Sequence, residues 1–150
     1  MKGNGVFSHE SDHWATPKKL YECFMKHGYI DPCPLHCKEN NLWKTYFNKK
    51  LFINPPYSKI KDWVEFIRRN KSSNCEIWLL IPARTDTKYF HELLELSPDI
   101  VFLKGRLHFN DETGTAPFPS VMLHFYKLNF CPSYFYVKTI EEFTRKRDIL

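Results

Sequence analysis

A chain of 150 residues, 43% hydrophobic and 26% charged, is sized and composed for one domain with its own core. Its longest apolar run, IWLLIPA, falls far short of the roughly 20 residues a membrane helix needs, and the opening MKGNGVFSHESDHW has no apolar stretch of the signal-peptide kind. A net charge of +5 leans towards a polyanionic partner, and five cysteines without secretory context read as reduced thiols in a cytoplasm.

In chain order, residues 1–13 are polar and read as an irregular arm. TPKKLYECFMKHG predicts a helix with Thr16 as cap, Pro17 at the first helical position and Gly28 as the stop. YIDPC predicts a short strand ended by Pro32. The spacing of Leu42, Trp43 and Tyr46 allows one helix between residues 34 and 50. KLFI is a strand that runs into Asn54-Pro55-Pro56-Tyr57. Ile60, Trp63, Val64 and Ile67 then follow helical spacing behind a Ser58 cap. EIWLLIPA reads as a strand buried on both faces. Asp86 or Thr87 caps a helix through Tyr89, Phe90, Leu93 and Leu94. DIVFL, SVMLHFYK and SYFYVK are three more strands, and residues 139–150 form a last helix with a capping box from Thr139 to Glu142.

No repeat or linker interrupts this pattern, so residues 1–150 read as a single α/β domain. Its sheet is expected to be mostly parallel and covered on both faces, with an antiparallel hairpin towards the C-terminus. Ligands of such sheets bind outside the carboxyl ends of the strands, where Asp31, Asn54 and Arg84 fall.

The proline motif carries the chemistry. Two prolines remove two donors and fix two φ angles, holding an amide and an aromatic ring at a strand end. The amino group of a planar base is a poor nucleophile because its lone pair is delocalised into the ring. The Asn54 side-chain oxygen and the Pro55 carbonyl can each accept one of its N–H bonds and localise that lone pair. Pro56, lacking an N–H, helps keep the Pro55 carbonyl out of a helix. Tyr57 can stack on the ring face, worth roughly 1–3 kcal/mol per base. The alternative is a Pro-Pro turn with Asn as a cap.

The order of motifs resembles that of the small phage-type DNA adenine methyltransferases. The matching pieces are FS at 7–8, DHWATPKKL at 12–20, DPC at 31–33 and LFINPPYS at 51–58. They continue with IPARTDTKYFH at 81–91, FLKGRLHF at 102–109 and APFPSVMLHF at 116–125. The resemblance implies a reduced Rossmann-like fold dependent on S-adenosylmethionine, which methylates the 6-amino group of adenine in DNA after base flipping. It implies work in the cytoplasm of a bacterium or phage-infected cell. Asn54, Pro55, Pro56 and Tyr57 correspond to the catalytic motif. Asp31, Pro32 and Cys33, with Asn54, correspond to the cofactor's strand-end motif, and Trp14, Thr16 and Pro17 to the segment closing over it. Larger methyltransferases place a glycine-rich loop after the strand-end Asp; DPCPLHCKEN has no glycine, and Asn40 and Asn41 are the candidates for the cofactor's ribose.

For DNA contact the candidates are Tyr57, Ser58, Arg84, Lys104 and Arg106. Arg84 can equally belong to a surface salt bridge, and the loop NDETGTAPFP to a solvated hairpin tip. RRNK at 68–71 is explained by a helix C-terminus, where cations complement the dipole. CPLHC at 33–37, with Cys23 and His27, invites a zinc reading, but the spacing matches no common finger and no metal is expected. NPPY also suits methyl transfer to protein glutamine or an RNA base. A decayed, non-enzymatic DNA-binding relative is the third reading. With no separate recognition domain, base readout falls to loops, the N-terminal arm or a second subunit, so a homodimer is among the expected arrangements.

Overall fold

The computed structural model describes residues 14–34, 41–109, 114–126, 134–137 and 139–147; the N-terminal arm and residues 148–150 lie outside them. Helix α1 spans Lys18–Lys26. Pro17, still extended at ψ 129°, takes the cap position, and its carbonyl accepts from Leu20 and Tyr21 N–H, both at 3.0 Å. Thr16 therefore does not cap this helix, and its hydroxyl is used elsewhere. Gly28 stops the helix as expected, with a φ of 79° that favours glycine.

The strand expected in YIDPC is a single parallel bridge, Ile30 to Leu51. Pro32 has no N–H with which to continue the ladder, and Cys33 N–H turns to the Asp31 carboxylate at 2.9 Å. The helix expected around Leu42 is one 3₁₀ turn, Asn41–Trp43. Its backbone is bound by another element's side chains instead. Helix α2 (Ile60–Ser72) sends Arg69 to the carbonyls of Leu42 and Lys44. Fully buried Asn70 accepts from Tyr46 N–H at 2.6 Å and donates to the Lys44 and Phe66 carbonyls. The basic end of α2 thus fastens a loop, beyond any complement to the helix dipole.

Strands β1 (Lys50–Ile53), β2 (Glu76–Pro82), β3 (Asp99–Leu103), β4 (Ser120–Phe125) and β5 (Tyr134–Val137) form one five-stranded sheet in the order β1-β2-β4-β3-β5. β1 pairs parallel with β2, and β3 with β5; β4 lies antiparallel between β2 and β3. The hairpin is therefore β3–β4. Helix α3 (Lys88–Leu94) has Thr87 at its cap position, though that hydroxyl donates to the Arg84 carbonyl at 2.7 Å. Ser58 lies in a 3₁₀ turn, Tyr57–Lys59, and Lys59 takes the cap position of α2 that Ser58 was expected to fill. In helix α4 (Ile140–Arg147), Glu142 N–H meets the Thr139 hydroxyl at 3.3 Å, one half of the expected box.

Successive strand residues face opposite sides, which explains the uniformly apolar strands. Leu51, Ile53, Leu79, Ile81 and Leu123 pack with Trp63, Ile67, Phe90 and Leu93 of α2 and α3. Phe52, Trp78, Leu80 and Met122 pack with Leu20, Phe24 and Phe143 of α1 and α4. Each fully buried Leu, Ile or Phe contributes about 1.5–3 kcal/mol. This two-sided core makes a rigid floor from which strand ends project. Among the described residues no helix is long and apolar enough to cross a membrane.

Candidate active site

Asn54 is the first residue past β1. Its Nδ2 donates to the Trp14 carbonyl at 2.5 Å and meets the Thr16 hydroxyl oxygen at 3.1 Å. The Trp14 carbonyl fixes the amide's orientation, because it can only accept and only the NH₂ end can donate; the Thr16 hydroxyl accepts from the same end. Oδ1 must then point away. It is buried and has no hydrogen-bond partner among the described residues. Leaving such an acceptor bare costs about 1–3 kcal/mol, a cost that a donor-bearing ligand would remove. Pro55 is buried, and Pro56 is extended at φ −56° and ψ 121°, so the chain leaves the strand without turning into helix at once.

Tyr57 does not lie open. Its ring meets Phe118 edge-on at 5.5 Å and Phe109 at 6.4 Å. Trp14 makes the same kind of contact with Phe109 at 5.4 Å and Phe118 at 5.3 Å. The Tyr57 hydroxyl is buried without a partner among the described residues, and burial pushes the phenol far above its ordinary pKa. The sequence reading missed Phe109 and Phe118. One signal was available: Phe118 stands between Pro117 and Pro119, an unusual place for a large ring in a solvated hairpin tip. A bond from Ala116 N–H to the Leu107 carbonyl at 2.8 Å draws the hairpin arms together. The two phenylalanines then face one another at 6.0 Å.

Asp31 lies at the neighbouring strand end, partly buried. Burial pushes its carboxyl up to about 6, with hydrogen bonds from the Cys33 backbone and thiol acting against the rise. It forms no ion pair among the described residues. The Cys33 thiol reaches the Asn54 carbonyl at 3.6 Å, and buried Pro32 offers its carbonyl to Asn41 Nδ2 at 2.9 Å. The resemblance's cofactor segments are therefore bonded to one another: Trp14 and Thr16 to Asn54, and Asn54 to Cys33. Pro17 is buried and contributes through its helix-starting carbonyl.

Ser58, Arg84, Lys104 and Arg106 are solvent-exposed and follow the carboxyl ends of β1, β2 and β3. Gly105, at φ 84°, makes the turn between the last two. Ser120, at the start of β4, brings a further buried hydroxyl without a partner among the described residues. Because β4 is antiparallel, its start lies at this same end of the sheet, opposite Pro82. The arrangement offers bare buried acceptors, a carboxylate without an ion pair among the described residues, aromatic walls and an exposed rim carrying three cations.

Residues 4–125 match the family model described as DNA N-6-adenine-methyltransferase (Dam). A DNA N-6-adenine-methyltransferase of Escherichia phage T1 is 23% identical over 120 residues, 71% of this chain and 50% of the relative. The chain thus spans about half the length of that curated relative. Among solved structures, a protein of Agrobacterium tumefaciens described as a predicted O-methyltransferase aligns with a TM-score of 0.43 at 15% identity, over 70% of this chain and 50% of its own. That structural likeness is too slight to bear on function. The family match, running through the strand-end Asp, the NPPY motif and the hairpin, decides the matter: the chain belongs to the DNA N-6-adenine-methyltransferase family.

Proposed function

We propose that this chain binds S-adenosylmethionine and methylates the 6-amino group of adenine in DNA. The observation that carries the reading is the Asn54 amide, locked by its donor end and left with a buried, bare acceptor. That acceptor suits an N–H of a planar amine.

The residues present also fit the cofactor. A carboxyl held up to about 6 by burial and lacking a cation suits a ligand with an ammonium group. When bound, S-adenosylmethionine supplies an electrophilic methyl group on a sulfonium centre. The protein's part is positioning. Asn54 Oδ1 and the Pro55 carbonyl accept the two N–H bonds of the amine, draw its nitrogen out of conjugation and face the positive charge that develops there. Trp14 and Thr16 keep the Asn54 amide from turning over. Tyr57, backed by Phe118 and Phe109, offers a ring to the base, offsetting part of the few kcal/mol that flipping costs. Ser58, Arg84, Lys104 and Arg106, exposed and following the carboxyl ends of the strands, are the groups available to phosphates of the same duplex.

Labelled S-adenosylmethionine, unmethylated DNA and mass spectrometry of the released nucleosides test this directly. N6-methyladenine is the expected product. Label in protein or RNA with none in DNA would move the substrate to glutamine or an RNA base. DNA binding without cofactor binding would leave a non-enzymatic relative.

A further inference from the structure

We propose that Trp43 and Phe47 form a second DNA-binding site, apart from Asn54, in which the two rings stack on unpaired bases and neighbouring lysines take the phosphates. They are the most exposed large apolar side chains among the described residues, at 72% and 68%. The loop that carries them is bonded along its length. Arg69 and Asn70 hold the backbone of Leu42, Lys44 and Tyr46. The Cys75 thiol donates to the Tyr46 carbonyl at 3.3 Å, Asn48 N–H to the Ser73 carbonyl at 3.3 Å and Glu76 N–H to the Lys49 carbonyl at 2.9 Å. Leu42 and Tyr46, one residue before each ring, pack against the core. Trp43 and Phe47 therefore stand in solvent on a fixed support, and large apolar groups held out in this way mark a contact surface.

Charge selects the occupant. The loop, residues 41–50, and the segment that fastens it, residues 66–75, carry Lys44, Lys49, Lys50, Arg68, Arg69 and Lys71 and no acidic residue. Those cations exceed the net charge of the whole chain, +5. Lys49 and Lys50 are exposed, and Lys44 Nζ stands 5.7 Å over the Trp43 ring, so cation and ring are offered together. A second copy docked here about a two-fold axis would set lysines against lysines, whereas a polyanion neutralises them. The rings add a further condition. They stack on bases whose faces are free, and a closed duplex hides those faces, so the partner is an unpaired strand. The loop also leads to the candidate active site. Asn41 at its start is tied to the Pro32 carbonyl at 2.9 Å, and Lys50 at its end opens β1 at the other end of the sheet. A strand lying along the loop thus runs towards Asn54, yet its grip needs neither cofactor nor target base.

Fluorescence anisotropy with a labelled oligothymidylate of about 12 nucleotides tests the site, using the full chain without cofactor. Thymine carries no amino group, so the chemistry at Asn54 is not engaged. Affinity should fall with salt, with a log–log slope of about −2 for three lysine–phosphate contacts on a single strand. Trp43→Ala and Phe47→Ala should each weaken binding about tenfold, and Trp43→Phe should keep most of it. Lys49→Gln should make the slope shallower by about 0.7, and a G·C duplex of the same length should compete poorly. Because these side chains are exposed, the melting temperature should not move, which separates a lost contact from a lost fold. No binding of the oligothymidylate, or binding unaltered in both alanine variants, would overturn the inference, as would a duplex that competes as well as the strand. Oligouridylate bound more tightly would give the face to RNA. A dimer in sedimentation equilibrium that Trp43→Ala dissociates would give it to a second copy, and either result ends the assignment to DNA. A chain that methylates adenine in DNA yet fails here loses this site alone.

Discussion

The two ends of the sheet treat buried polar groups in opposite ways. At the amino end, Glu76 opens β2, Asp99 opens β3 and His124 lies between them on β4. His124 Nε2 meets Glu76 Oε1 at 2.9 Å, its Nδ1 stands 3.9 Å from Asp99 Oδ2, and Tyr29 donates to Glu76 at 2.5 Å. Trp78 lies flat on the imidazole at 4.1 Å. The bond from His124 holds the Glu76 carboxyl down at about 2, overcoming the desolvation that acts against it. At the carboxyl end, Asn41, Asn54, Tyr57 and Ser120 each bury a polar atom with no partner among the described residues, and Asp31 is held up. Polar groups that bond one another hold the fold together. Groups positioned by the fold yet left bare are the ones the proposed ligands would meet.

Removing the open acceptor at the centre of the site should have the largest effect. Asn54→Ala should lower methyl transfer by about 10²-fold or more, the scale for losing one preorganised group facing transition-state charge. Measured at saturating cofactor, a turnover within a few-fold of the unaltered protein would remove Asn54 from the chemistry. Asp31 comes next, and here function and stability should pull apart. Its folded pKa of about 6 stands above the ordinary 3.8, so its ionisation burdens the folded state fully above about pH 6 and not at all below 3.8. Asp31→Asn should therefore stabilise the ligand-free protein at pH 7 by on the order of 2 kcal/mol. The same variant should weaken cofactor binding, and thermal melts with and without ligand separate the two effects.

The amino end should show the opposite sign. Glu76, at about 2 against an ordinary 4.5, contributes stability that is complete above pH 4.5 and is lost as the pH falls through 2. Glu76→Gln should cost about 1–2 kcal/mol at neutral pH. The gap between its melting curve and that of the unaltered protein should close on acidification, and a gap of constant size would break the contrast. The smallest effect belongs to Tyr57→Phe. Deleting a bare buried hydroxyl while keeping the ring should leave stability level or raise it by up to about 1 kcal/mol. Methyl transfer should persist; a large loss would give the hydroxyl a role with the base that stacking does not cover.

Elements with a strong periodic signal were readable from sequence. β2 and the helix from Ile60 follow from their apolar spacing, and Gly28 marks its helix end because its backbone is left-handed there. Asn54 and Asp31 were readable as strand-end residues because the prolines beside them announce an interrupted strand. What was not readable depends on contacts distant in sequence. Thr16 looks like a helix cap until Asn54, 38 residues on, takes its hydroxyl. Residues 41–46 look like a helix until Arg69 and Asn70 bind their backbone. Phe109 and Phe118 join Tyr57 only because the hairpin is pinched at Ala116 and Leu107.

The loop fastened by α2 has an evolutionary side. Arg69 and Asn70 hold carbonyls and an N–H, groups that every residue but proline carries, while Trp43 and Phe47 of that loop face solvent, 72% and 68% exposed. Its path is thus written in another element's side chains. Substitutions at positions 43 and 47 can accumulate without moving Asn41, leaving the outer surface of this loop free to diverge in what it holds while its inner one stays fixed.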